Sequence, residues 1–451
     1  MILGCDTYRR MNRREFLRVG GTGLFGLNMP TLFQAQAQAN AAKEKPRAQQ
    51  LLILWQGGGP PHIDMFDMKP DAPEEIRGAW KPIQTALPGL LTNELMPGLA
   101  RSADKYTILR SVNAQGYHVV QNHSVQEAWP HLTGNRRGLP GMTPPYPLYG
   151  SVMGKVRPGP RDLPANVIVS TSSEHDSAHD SYLGPGYHPM TLNINDPSNH
   201  LSRMLAPPPA QLDVPTLERR IDLLRDLDTQ LRHLDRADPI IGGLDRFQQQ
   251  AFDLLRSPKL RRALDLRLEP DRVADRYGKH SWGRQALAAR RLIEVGVPCV
   301  FLNFYGWDFH GTGGPNAAYD SASRCYREYN TACTALLEDL DERGLLDRTI
   351  VLSGGEMGRT PKPEATRGSR NHWYNAQHFL VAGGGFQRGC LVGSTDKIGG
   401  EVSDRYYKIP SLARTIYHLL GIDPDQELHT PDGRPLKIVL DDAPLIREAL
   451  A

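Results

Sequence analysis

Cysteine is scarce in this chain, and so is any excess of one charge. Five cysteines are spread over 451 residues, with no C-x-x-C pair. Cys325 and Cys333 fall eight apart on an expected helix, about 12 Å by helical rise. That is beyond the reach of a disulfide. Cys299 lies in an apolar run. The cysteines read as core thiols rather than a disulfide frame or zinc ligands. Lys and Arg number 53 against 50 Asp and Glu, a formal net charge of +3. Such a balance argues for neither nucleic acid nor an anionic membrane surface as partner. There is no repeat of solenoid type. H-E-x-x-H, P-loop and G-x-S-x-G motifs are also missing. What the chain does have is length and 39% hydrophobic residues, ample for a large core.

The first forty residues read as a signal rather than as fold. Arg13 and Arg14 are paired, Phe16 and Leu17 follow, and a mildly apolar run leads to small residues between Ala35 and Ala42. This order resembles a twin-arginine export signal spanning 1–42. The true start is then Met11 as readily as Met1. The apolar run is too short, and too broken by Gly and Pro, to span a bilayer. "GTGLFG", Gly21 to Gly26, matches G-x-G-x-x-G, but no strand precedes it, so it is not a dinucleotide site. Export implies a periplasmic location, with the twin-arginine translocase as a partner in transit.

Residues 43–451 read as a single α/β domain. "QLLILWQGGG", from Gln50, is an apolar strand ending in glycines. "ANVIVST", Ala165 to Thr171, "VPCVFLNF", Val297 to Phe304, "TIVLSGGE" and "QHFLVAGGG" read as further strands. About 215–280 is charged and helical. A helix ends at Gly296, and a long one runs from Ser323 to Arg343. Its stripe is Tyr326, Tyr329, Cys333, Leu336, Leu337 and Leu340, with Gly344 as its stop. Alternating strand and helix predicts a sandwich around a mainly parallel sheet.

In such sheets, sites form beyond the carboxyl ends of the strands. Gly57 to Gly59, Trp307 to His310 and Gly354 to Glu356 all follow strands directly. In the extended "GWDFHG", Asp308 and His310 are two apart and point the same way. A carboxylate and an imidazole suit a divalent ion. Glu356 and His372 add a second acid and a second histidine, a set suited to metal-assisted hydrolysis. Arg359 and Arg370 would hold an anionic group through bidentate bonds. Ser124, at the start of a helix and beside His123 and His118, is either an activated alcohol or a plain N-cap. His175 and His179 are substrate contacts or members of a solvated loop.

These stretches carry a resemblance. "LLILWQGGGPPHIDMFDMKPDAPEEIRG", "GWDFHG", "GGEMGRTPKPEATRGSRNHW", "AGGGFQRGCLVGSTD" and "TIYHLLGIDP" are similar to the exported bacterial family called domain of unknown function 1501. That family is labelled sulfatase-like and placed with the alkaline-phosphatase-like proteins. The resemblance runs from about Gln50 to Leu440. It implies an alkaline-phosphatase-like three-layer sandwich and a divalent metal (Zn, Mn, Ca or Mg). It implies Asp308, His310, Glu356 and His372 as ligands. Gln56 stands where the first strand would end in a metal-binding Asp, so Asp64 or Asp67 would substitute. Pro61 and Asn371 depart from the family's Ser and Asp. Neither C-x-P-x-R nor its serine variant is present; Ser124 and His123 are the catalytic candidates, with an N-cap serine and a surface-loop or metal-ligating histidine as the alternatives. The expected function is an exported hydrolase of phosphate or sulfate esters acting on an anionic substrate. The alternative is a binding protein of the same fold that captures an anionic glycan or a protein partner.

Overall fold

The computed structural model describes residues 46–117, 125–136, 146–170, 181–194, 219, 257–310, 316–364 and 366–451. The expected export signal lies outside them, as does most of the 215–280 segment. Of that segment, helices Pro258–Leu264 and Asp271–Tyr277 are described.

Ten strands place the site: β1 Gln50–Trp55, β2 Tyr106–Leu109, β3 Asn166–Ser170, β4 Met190–Asn193, β5 Cys299–Asn303, β6 Thr349–Gly354, β7 Gly358–Arg359, β8 His372–Trp373, β9 Phe379–Ala382 and β10 Cys390–Val392. All but β7 and β8 form one sheet, in the order β10-β2-β9-β6-β1-β5-β3-β4. Every pairing within it is parallel except those that β9 makes with β2 and β6. The reason lies in the connection. Between β6 and β9 the chain makes only the small β7–β8 hairpin and no crossover helix, so it returns antiparallel.

β1 is buried along its whole length, as a central strand should be. Leu52 and Leu54 face one apolar cluster; Leu51, Ile53 and Trp55 face the other. The first cluster is closed by α3 Ser281–Val295 and α4 Ala317–Glu342, the second by α1 Val125–Thr133, α2 Tyr149–Val156 and α5 Ile409–Leu419. Helices therefore cover both faces, and the expected three-layer α/β sandwich is present. The expected stripe of the long helix lies wholly in the core, all six positions at 0% exposure. Gly296 ends α3 in the left-handed region, with φ 106°. Among the described residues the cysteines are free: Cys299, Cys325 and Cys333 are buried and Cys390 half-buried. Burial pushes the Cys333 thiol up to about 12.

Register fixes the rim. Trp55 pairs with Asn303 on one side and with Gly354 on the other. Three strands thus stop level, and three loops leave the same edge.

Candidate metal centre

The loops are joined through their backbones. Gly57 O accepts the N–H groups of Gly306 and Trp307, each at 3.1 Å. Gly58 has φ 114°, and a Cβ there would lie 2.7 Å from Asp308 N. Only glycine permits both the torsion and the approach. Trp307 is fully buried, stacked on Trp282 at 5.7 Å and edge-on to Tyr329 at 5.6 Å. Phe309 is buried against Tyr326. With these two rings turned inward, Asp308 and His310 turn outward, each about one-third exposed at the side chain. The i, i+2 pattern is realised through that alternation.

His372 comes from the β7–β8 hairpin, in which it pairs with Arg359. Its own N–H donates to Asn371 Oδ1 at 2.8 Å, and the next residue, Trp373, donates from Nε1 to Gly400 O at 2.6 Å. Asn371 therefore helps to set the backbone of His372. The His310 and His372 rings meet edge to face, 4.8 Å apart. His310 Nε2 lies 2.9 Å from Asp308 Oδ1. Among the described residues, Asp308, His310 and His372 form a group whose ligand atoms all lie within 4.8 Å of one another.

Glu356 is buried and binds a backbone N–H. Its Oε1 accepts the Gly58 N–H at 2.7 Å, tying the loop after β6 to the loop after β1. It is not among the three clustered ligand residues.

Both arginines expected at an anion are spent inside the protein. Arg359 is fully buried; Nε donates to Gly59 O at 2.9 Å and Nη1 to Arg370 O at 3.1 Å. Its Nη2 donates to Gly58 O, to Trp307 O at 3.0 Å and to Asp308 Oδ1 at 2.9 Å. Burial pulls this guanidinium down from its ordinary value, against the pull of Asp308 and Glu356. Arg370 grips Asp64 through two bonds of 2.7 and 2.9 Å, both partners buried. Its other donors go to the carbonyls of Thr360, Pro361 and Ile76. The geometry thus corrects three expectations. Arg370 has no donor left for a ligand, Asp64 is bound to Arg370 and not grouped with Asp308, and Arg359 braces loops. Asp67 is held by Lys69 at 3.0 Å, Arg110 at 3.3 Å and Thr395. Gln56 is fully buried at the end of β1, where its Oε1 accepts from Ser353 Oγ at 3.4 Å.

Ser124, His123, His118, His175 and His179 lie outside the described residues. The bracing role of the arginines had no sequence signal, because an Arg on a polar loop looks the same whether it meets a substrate or a carbonyl.

Comparison with known proteins follows the geometry. A family model described as "Protein of unknown function (DUF1501)" matches residues 48–450. No curated protein matches the chain. Among solved structures, it is similar to the C-terminal periplasmic domain of EcEptC from Escherichia coli, crystallised with Zn. There the identity is 8%, the coverage 90% of this chain and 96% of that one, and the TM-score 0.38. It is also similar to the lipoteichoic acid synthase LtaP from Listeria monocytogenes, at 9% identity, 89% and 94% coverage, and TM-score 0.34. A third is the phosphonate monoester hydrolase SpPMH from Silicibacter pomeroyi, at 13% identity, 86% and 75% coverage, and TM-score 0.34.

Proposed function

We propose that this chain, which belongs to the DUF1501 family of proteins of unknown function, is an exported metal-dependent hydrolase of phosphate or sulfate esters. One observation carries the reading: Asp308, His310 and His372 converge on one point, half-exposed, at the carboxyl edge of the sheet. Two imidazoles and one carboxylate suit Zn²⁺ or Mn²⁺. They suit Ca²⁺ and Mg²⁺ less, since those ions prefer oxygen throughout.

Bound there, the ion would polarise an ester oxygen and lower the pKa of a water. The protein's own contribution is position. Arg359 fixes the Asp308 carboxylate through Oδ1, and buried Trp307 and Phe309 fix the chain on either side. Glu356 fixes the glycine turn beneath. The anionic ester would approach from the exposed side of the three ligands. Ser124, which directly precedes α1, is the proposed nucleophile, with His123 as its proton partner. Export by the twin-arginine route, with 1–42 removed, belongs to the same proposal. No helix among the described residues is long and apolar enough to cross a membrane.

Gln56 favours a second reading. A neutral, buried amide bound to Ser353 stands at the end of the central strand, and an amide is a poor ligand for a hard cation. A protein that binds an anionic glycan or a partner without turnover would tolerate it. Metal analysis of protein purified without chelator, beside turnover of aryl phosphate and aryl sulfate, tests both. About one ion per chain with metal-dependent turnover supports the hydrolase. An ion without turnover of either ester favours the binding protein. No stoichiometric ion sinks the metal reading.

A further inference from the structure

Helix α3 starts under a histidine. His280 is its N-cap residue, and the imidazole Nδ1 accepts the Gly283 N–H at 3.2 Å. Only a neutral ring offers that lone pair. The same nitrogen lies 3.9 Å from Glu328 Oε2 on α4, beyond hydrogen-bond length. Nε2 then carries the ring proton; it is buried and has no partner among the described residues. Burial and the charge of Arg284, one turn along α3, both oppose the imidazolium, so the ring is neutral at pH 7. Of the other charged neighbours, Lys279 pairs with Asp275 at 3.5 Å, and Arg324 attracts Glu328. One nitrogen thus stands between a backbone donor and a carboxylate, and its protonation decides which of them it can bond.

The turn under this cap reaches the rim of the sheet. Trp282, between His280 and Gly283, is buried, and its indole stacks on Phe304 at 5.0 Å and on Trp307 at 5.7 Å. Both rings belong to the segment that runs from β5 to Asp308. Gly283 sits so close to the preceding helix that a Cβ would lie 2.1 Å from Tyr277 O. We propose that His280 is a proton-sensitive latch on the Asp308 loop. Neutral, it caps α3 and holds Trp282 against Phe304 and Trp307. Protonated, it turns from the Gly283 N–H to the Glu328 carboxylate, and the first turn of α3 comes loose. One proton is taken from solvent, and only hydrogen bonds change. The sign follows from the neutral ring being favoured in the fold: the cap is complete above pH 6.5, the ordinary histidine value, and is lost as pH falls through the lower folded value. The latch stands whether or not the metal site turns over an ester.

The test is hydrogen–deuterium exchange of the full chain with chelator present, from about pH 7.5 to about pH 5, corrected for the intrinsic exchange rate at each pH. In the wild type, peptides covering 281–287 and 304–310 should lose protection together as pH falls, by about fivefold, the worth of one N-cap. His280→Asn, whose side-chain oxygen caps without titrating, should keep its protection throughout. Glu328→Gln removes the carboxylate that the protonated ring turns to, and should move the loss to lower pH. No loss in the wild type overturns the proposal, as does an equal loss in His280→Asn. Loss over 281–287 alone also overturns it, by separating Trp282 from the Asp308 loop, and so does a Glu328→Gln profile that matches the wild type.

Discussion

Two groups of buried arginines hold this protein, and they spend their donors differently. In the helix layer, Arg290 meets Glu269 at 2.5 Å, Glu294 at 2.6 Å and Asp339 at 2.9 Å. Arg343 adds a 2.6 Å contact to Asp339, and Tyr277 donates to the same acid at 2.8 Å. Here charge answers charge, between α3, α4 and the helix Asp271–Tyr277. At the site, Arg359 meets a single carboxylate, and its other bonds go to carbonyls of Gly58, Gly59, Trp307 and Arg370. The first group joins helices that already pack by apolar contact. The second joins loops that have no regular hydrogen-bond ladder of their own. Such loops are set here by donors aimed at their carbonyls, and by Glu356, which accepts from the Gly58 N–H.

The largest effect should come from breaking the helix group. Arg290→Ala leaves Glu269 and Asp339 buried beside an incomplete set of cations, at a cost of about 3–5 kcal/mol. Denaturant unfolding measures the loss, and bound metal per folded molecule should stay as in the wild type. Equal loss of metal would erase the distinction between the two groups.

Next comes the glycine turn. Gly58→Ala forces a side chain into a left-handed torsion and against Asp308 N. About 1–3 kcal/mol is expected from the torsion alone, together with weakened metal binding. A variant that keeps full metal content would show that the Asp308 loop moves freely of the turn.

Smaller in stability, and larger in function, are the ligand changes. Asp308→Asn and His310→Ala should each strip bound metal and turnover. Metal-free stability should shift by no more than about 1 kcal/mol for the part-exposed His310→Ala, and by more for Asp308→Asn, which takes from buried Arg359 its one carboxylate. Elemental analysis and melting with and without chelator test this. Metal retained in both variants would return the two residues to an ordinary turn.

The gentlest test is acid. Burial alone would raise the Glu269 carboxyl, but bonds from Arg290 and Arg291 outweigh it and hold the group below its ordinary value. Asp339 behaves alike, with burial outweighed by Arg343 and Tyr277. A lowered folded-state pKa contributes stability above the unfolded values, 4.5 and 3.8, and loses it as pH falls through the folded ones. Wild-type stability should therefore decline below about pH 4.5. Glu269→Gln, less stable at neutral pH, should decline less steeply. Parallel slopes in the two proteins would remove Glu269 from the account.

Much of the arrangement was legible before any coordinate. Val297 to Phe304 is apolar enough to be a buried strand, and an extended run after it had to alternate. Asp308 and His310 were then expected to face one way with Phe309 turned from them, while the burial of Trp307 was shown only by the structure. His372 was read as a second histidine of the same set, and the structure brings it to the same point. Glu356 shows the limit. An acid after a strand reads the same whether it faces solvent, an ion or a backbone N–H, and here Gly58 takes it. Asp64 and Arg370 show another limit. Their contact spans 306 positions, and no local period records a pairing at that range.

The order of the sheet also sets a timetable. β1 is made early, yet its two neighbours are β5 and β6, with Leu51 beside Cys299 and Gln50 beside Thr349. At ~5–20 residues per second, about 250 residues separate the strand from its first partner, a wait on the order of 10–50 s. Throughout that time this apolar, centrally placed strand has both edges open. A ribosome stalled before Cys299 is therefore expected to present β1 with both edges unpaired, and crosslinking of a chaperone to that segment is the outcome that checks it.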